Sequence, residues 1–206
     1  MIRKSMAVFA LMLGEVVISR ADSDTFVAVR ILDEGSLRGG PLLPHAKAIA
    51  RSILASAGIR VRWDRSKATP EPFRGGCAAD GSAMTIAVRF SEKAPDGYTK
   101  GALAAATPFA NGGIGIVVFV EGLRPSMEMT TRPEFLLGHV LAHEIGHKLL
   151  QTDAHASTGL MKARWSQSEV RGMSFKPMEF TPEHAAHMRE ILESRCPLMA
   201  ARLSVN

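Results

Sequence analysis

The chain reads as an α/β protein, a twisted and mostly parallel sheet packed with helices, and three observations predict it. A β-rich segment, a helical segment and a second β-rich segment follow one another at the start, the order of a β-α-β unit. A later run, Gly115 to Val120, is apolar without alternation, as in a strand buried on both faces. Two helical patterns close the chain and supply cover for a sheet. The length of 206 residues fits one domain with a proper core.

The elements are justified in order. Thr25 to Leu32 is rich in β-branched residues and reads as the first strand. Pro44 to Ala57 has apolar residues at helical spacing and stops at Gly58. Ile59 to Trp63 alternates and reads as a second strand; residues 66–82, rich in Pro, Gly and small side chains, form a loop. Met84 to Phe90 is a third strand. Residues 101–107 fit either an edge strand or a short helix, and Gly115 to Val120 is the buried strand. Leu136, Leu137, Val140, Leu141, Ile145, Leu149 and Leu150 then recur at spacings of three and four, as on the buried face of a helix. Thr130 or Thr131 can cap that helix, with Pro133 and Glu134 in its first turn. Thr181, Pro182 and Glu183 open a final helix running to about Ser194. No internal repeat or low-complexity segment is present.

The long helix carries His143, Glu144, Ile145, Gly146 and His147, a His-Glu-x-x-His pattern. Residues four apart share a helix face, so His143 and His147 aim two imidazoles at one spot. Neutral imidazoles suit Zn²⁺, and Glu144, one step round, is placed to act as general base on water beside the metal. A catalytic zinc takes three protein ligands and keeps a fourth position open, so a further ligand is needed.

Here the chain resembles the metzincin clan of zinc peptidases. Their pattern runs His-Glu-x-x-His-x-x-Gly-x-x-His, or Asp in the last place, followed by a methionine-containing turn beneath the metal. His143, Glu144 and His147 match. Leu150 stands where the clan has glycine, Asp153 falls on the last place, and His155 follows two residues later. Gly159, Leu160 and Met161 resemble the Met-turn. The text from Gly159 to Trp165 is also similar to a group of bacterial metzincin-like proteases with His-Glu-Ile-Gly-His and a His shortly before Gly-Leu-Met. The resemblance in motif covers residues 139–165, and in element order most of residues 24–195. It implies a metzincin-like fold, with the zinc helix, the Met-turn and a C-terminal helix following the sheet.

The residues themselves weigh on the third ligand. A glycine after the helix lets the chain turn back sharply with positive φ, which costs another residue roughly 1 kcal/mol or more. With Leu150 in that place, the longer path to His155 is favoured over the shorter one to Asp153, which stays open. Glu169, a distal glutamate as in thermolysin-like enzymes, is a further alternative. His139, four residues before His143, is expected to orient a ligand or to serve the fold. His184 and His187 read as solvated helix residues, and Trp63 and Trp165 as core or rim. Metzincins sometimes carry a tyrosine after the Met-turn; here the only tyrosine is Tyr98.

Residues 1–21 have the form of a secretory signal: Arg3 and Lys4, an apolar stretch from Met6 to Leu13, and small residues around Ala21, with Glu15 as an interruption. The domain is then residues 22–206, and a secreted or periplasmic location is expected. With no long segment ahead of the first strand, no zymogen is expected. No other stretch approaches the length of a membrane span. Cys77 and Cys196 fit a single disulfide in an exported chain, or two unpaired thiols. The net charge of +5 comes without a basic block longer than Arg3 and Lys4 and without interleaved aromatics, which argues against a nucleic-acid partner. The expectation is a monomeric zinc endopeptidase acting on peptides or proteins through His143, His147, His155 and Glu144. Its rivals are a zinc peptidase of another clan with a downstream Glu ligand and a non-enzymatic zinc-binding module.

Overall fold

A computed structural model describes residues 25–71, 77–78, 80–98, 101–110 and 112–196. The expected signal segment lies outside these residues, as do positions 72–76 and 79 of the expected loop. Five strands form one sheet: β1 (Phe26–Asp33), β2 (Val61–Asp64), β3 (Ser82–Ser91), β4 (Ala104–Ala106) and β5 (Ile116–Phe119). Their order across the sheet is β2-β1-β3-β5-β4. The first four in that order run parallel, and β4 pairs antiparallel with β5 at the edge. Residues 101–107 thus contribute an edge strand rather than a helix.

The helices are α1 (Leu42–Ser56), α2 (Val120–Glu128), α3 (Pro133–Leu150), α4 (Gln167–Gly172) and α5 (Pro182–Arg195). Helix α1 supplies the crossover that two parallel strands require. Val27, Val29 and Ile31 of β1 and Ile86 and Val88 of β3 join Leu43, Ile53 and Leu54 of α1 in the core. Ala28 and Ala87, which alternate to the opposite sheet face, are buried as well. That double burial is what a parallel sheet needs, because its strands have no solvated face.

Two helices were not anticipated. Helix α2 begins directly where β5 ends, with no intervening turn, and contains Gly122 and Pro125. Gly122 has a reason to lack a side chain: a Cβ there would overlap the Ala102 carbonyl. Helix α4 starts at Ser166, whose hydroxyl accepts from the Glu169 N–H while the Glu169 carboxylate accepts from the Ser166 N–H.

Helix α3 differs from its expected one-sided burial. Every residue from Leu136 to Leu150 is buried, including three histidines, Glu144 and Lys148. Its N-cap is Arg132 rather than Thr130 or Thr131; the Thr130 hydroxyl instead accepts from the Arg132 N–H. Close packing all round is possible because the helix carries glycines at its tightest contacts. At Gly138 a Cβ would lie 2.6 Å from Ile49 Cγ2 and 3.1 Å from the Ala46 carbonyl of α1.

Cys77 and Cys196 form a disulfide with a Cα–Cα distance of 5.1 Å, closing a sequence separation of 119 residues onto the end of α5. Closing a loop of that length stabilises a fold by about 4–5 kcal/mol in the chain-entropy account.

Gly138→Ala tests the packing of α3 on α1. Helix propensity alone favours alanine by about 1 kcal/mol. The clash with Ile49 and Ala46 outweighs this, and a net loss of about 1–3 kcal/mol is expected in chemical denaturation. A stabilised variant would mean that the two helices are not so tightly apposed.

Candidate metal centre

Helix α3 places His143 and His147 one turn apart, and the chain beyond it returns to supply a third imidazole. Among the described residues, His143, His147 and His155 offer ligand atoms that all lie within 4.8 Å of one another. His143 and His147 are buried and His155 is exposed, so the set is closed by the helix and open toward solvent.

The hydrogen bonds fix the tautomers. His143 Nδ1–H donates to the Leu160 carbonyl at 2.8 Å, and His147 Nδ1–H donates to the Thr152 carbonyl at 2.8 Å. A carbonyl can only accept, so each Nδ1 carries the proton and each Nε2 of the neutral ring is a bare lone pair. Those two Nε2 atoms face each other at 3.0 Å. Two lone pairs at that distance repel unless a cation lies between them. Adjacent nitrogens on a tetrahedral zinc would stand about 3.3 Å apart. The donor set and its spacing therefore fit a divalent metal such as zinc, and the Nδ1–H to carbonyl bonds are those that hold a ligand imidazole in place.

Burial lowers the pKa of both rings, His143 to about 4 despite its bond to Leu160. His147 is lowered by burial and by His155, and raised in part by its bond to Thr152 and by the charge of Asp153. Neutral imidazole is the metal-binding form, so burial keeps these rings ready at neutral pH. Glu144 is buried without a charged partner, and desolvation pushes its carboxyl up to about 8.

The return of the chain is built from backbone turns. Leu150 stays helical, and the left-handed position falls on Gln151, at φ 51°. The turn that glycine would favour thus comes one residue later than the spacing suggested, and Gln151 bears its strain. Gly159, at φ 71°, packs a would-be Cβ 3.0 Å from the Glu179 carbonyl, so glycine is required there. The Leu160 N–H donates to that same carbonyl at 2.8 Å. Met161 is buried beneath the helix. At Gly146 a Cβ would meet Phe180 at 2.6 Å and the Met161 sulfur at 2.9 Å, which accounts for the glycine between Ile145 and His147.

The other candidates lie elsewhere. Asp153 is exposed and outside the three-imidazole group, near enough to act on His147 only through its charge. Glu169 is held by Lys162 at 2.7 Å and by the capping box of α4, which lower its pKa to about 2. His139 is fully buried; its Nδ1–H donates to the Phe135 carbonyl at 2.7 Å and its Nε2 accepts from the Met178 N–H at 3.0 Å. Both nitrogens are committed, so this histidine serves the fold. His187 pairs with Glu190 on α5 at 3.6 Å, away from the metal group. Trp63 donates to the Lys47 carbonyl, and Tyr98 packs edge-on against Phe119.

Near the site, the sequence does not mark Lys148, and it marks Trp165 only as core or rim. Lys148, next to His147, is 5% exposed and donates to the carbonyls of Thr107 and Ala110, each at 2.7 Å. It ties the turn after β4 to the metal helix, and burial lowers its pKa. Trp165 donates to the same Leu160 carbonyl that holds His143, at 3.3 Å, and its ring stands edge-on to His143 at 5.5 Å. A cleft of about 580 Å³ opens in front of these groups. It is lined by residues 101–104, which lead into β4, by Ser126, by residues 162–165, and by Val140, His143, Glu144 and His155.

Compared with models of known protein families and with curated proteins, the chain matches none.

If His155 completes the set, His155→Ala should weaken zinc binding by more than about a hundredfold, and Asp153→Ala by less than about tenfold. Competition against a chelator places both on one scale; the reverse order would make Asp153 the ligand. Lys148→Met should cost about 1–3 kcal/mol in urea unfolding, because the two charge-assisted bonds from its ammonium to the Thr107 and Ala110 carbonyls are lost. An unchanged midpoint would show that the turn is held by other contacts.

Proposed function

We propose that this chain is a zinc-dependent endopeptidase of metzincin type, exported from the cell. The observation that carries the reading is the pair of Nε2 lone pairs facing each other beside a buried carboxyl in an open cleft. A purely structural zinc site is closed by four protein ligands and has no need of such a carboxyl.

His143, His147 and His155 would hold the metal. When bound, zinc supplies Lewis acidity toward a carbonyl and lowers the pKa of water. The chain does the rest. Glu144 lines the cleft with its carboxyl desolvated, so it can take a proton from water and pass it to the departing amine. Glu144 would lose its raised pKa beside a cation held by His143, His147 and His155, which would favour its basic form. β4, whose Ala104 lines the cleft, is an edge strand bonded to β5 on one side only. An extended peptide pairing with its free edge would run across the metal centre.

The Cys77–Cys196 disulfide is compatible with an oxidising compartment. No helix among the described residues is long and apolar enough to cross a membrane.

Glu144→Gln is the direct test. It should keep about one zinc per chain and lose at least about a hundredfold in turnover of a peptide library. Unchanged turnover with metal retained would rule out Glu144 as the base, and absence of cleavage by the zinc-loaded unmodified protein would rule out the peptidase reading.

A further inference from the structure

The cleft is unevenly charged. Its acidic residue is Glu144, which sits buried at the bottom. Lys162 and Arg164 are among its lining residues. These cations are not equivalent. Lys162 is paired with Glu169 at 2.7 Å, so its charge is already met. Arg164 is exposed at the rim and makes no ion pair or side-chain hydrogen bond among the described residues. Trp165 lines the same cleft, its indole N–H bonded to the Leu160 carbonyl and its ring at right angles to that of His143, 5.5 Å away. Val140 lies in the same cleft.

We infer that Arg164 and Trp165 form a subsite for a carboxylate on the substrate, so that the protein selects peptides bearing a negative charge close to the scissile bond. An arginine fork is matched to a carboxylate and can bind it through two parallel bonds. The flat indole and Val140 suit the aliphatic stem that carries such a group. Among the described residues that line the cleft the one carboxylate is the buried Glu144, and Glu169 is already paired with Lys162, so a cation at Arg164 keeps its attraction for an anion. The carboxylate can come from a glutamate side chain within the peptide or from its free C-terminus. The inference deepens the peptidase reading and rests on it for the position of the scissile bond, although recognition of a carboxylate can be measured without cleavage.

The test uses full-length, zinc-loaded Glu144→Gln protein and fluorescent peptides in matched pairs. One pair differs only in Glu against Gln beside the expected cleavage point, the other only in a C-terminal acid against the amide. In one of the pairs the charged member should bind about tenfold more tightly. Arg164→Gln should bring that ratio to about one, and Arg164→Lys should restore part of it. Discrimination in the first pair assigns the side-chain source, and in the second the terminal source. No discrimination in either pair, no measurable binding, or a ratio unmoved by Arg164→Gln overturns the inference. Discrimination in binding with no cleavage by the unmodified protein upholds the carboxylate subsite and removes the peptidase reading.

Discussion

The site depends on two hydrogen bonds, from His143 Nδ1–H to the Leu160 carbonyl and from His147 Nδ1–H to the Thr152 carbonyl. Helical spacing alone brings two imidazoles to one face, but it leaves each ring free to turn and to choose its proton. The carbonyls remove both freedoms. They fix the proton on Nδ1, aim Nε2 at a common point and make the pair a lone-pair clamp with a 3.0 Å gap. Because the carbonyls belong to the chain that follows the helix, the turn at Gln151, the glycine at Gly159 and the burial of Met161 are all parts of the same device.

That device can only work on a helix that the rest of the fold surrounds. The sheet and α1 press on α3 from one side, and Met161 and Phe180 press on it from another. Gly138 and Gly146 let these neighbours approach to distances that a methyl group would forbid. Burial has an electrostatic consequence. It keeps the histidines neutral and pushes Glu144 toward protonation, so the groups that would meet a cation are held in states that the cation itself would change. Lys148 extends the arrangement to the edge of the sheet, since its ammonium joins α3 to the turn after β4.

Much of the sheet is legible in the sequence because β1 and β3 are rich in β-branched and other apolar residues and β5, Ile116–Phe119, lies in a run that is apolar without alternation. What escaped was set by tertiary contacts. Helix α2 contains Gly122 and Pro125, both poor helix residues, and its glycine is explained only by the nearness of Ala102. Helix α4 had a visible signature in Ser166 and Glu169, but Glu169 was weighed as a metal ligand when its carboxylate belongs to the cap and to Lys162. The motif spacing points to Leu150 for the strained turn, whereas the backbone puts it at Gln151, a residue with no propensity to announce it. A lysine in the last turn of a helix ordinarily faces water, and nothing local marks Lys148 as buried. Its partners are carbonyls some forty residues earlier.

The measurement that bears most directly on this account is X-ray absorption at the zinc edge of the zinc-loaded protein. Three imidazole nitrogens at about 2.0–2.1 Å and one light-atom position that exchanges with solvent are expected. A first coordination sphere with only two imidazoles, with a sulfur ligand, or with four protein ligands and no exchangeable position would contradict it.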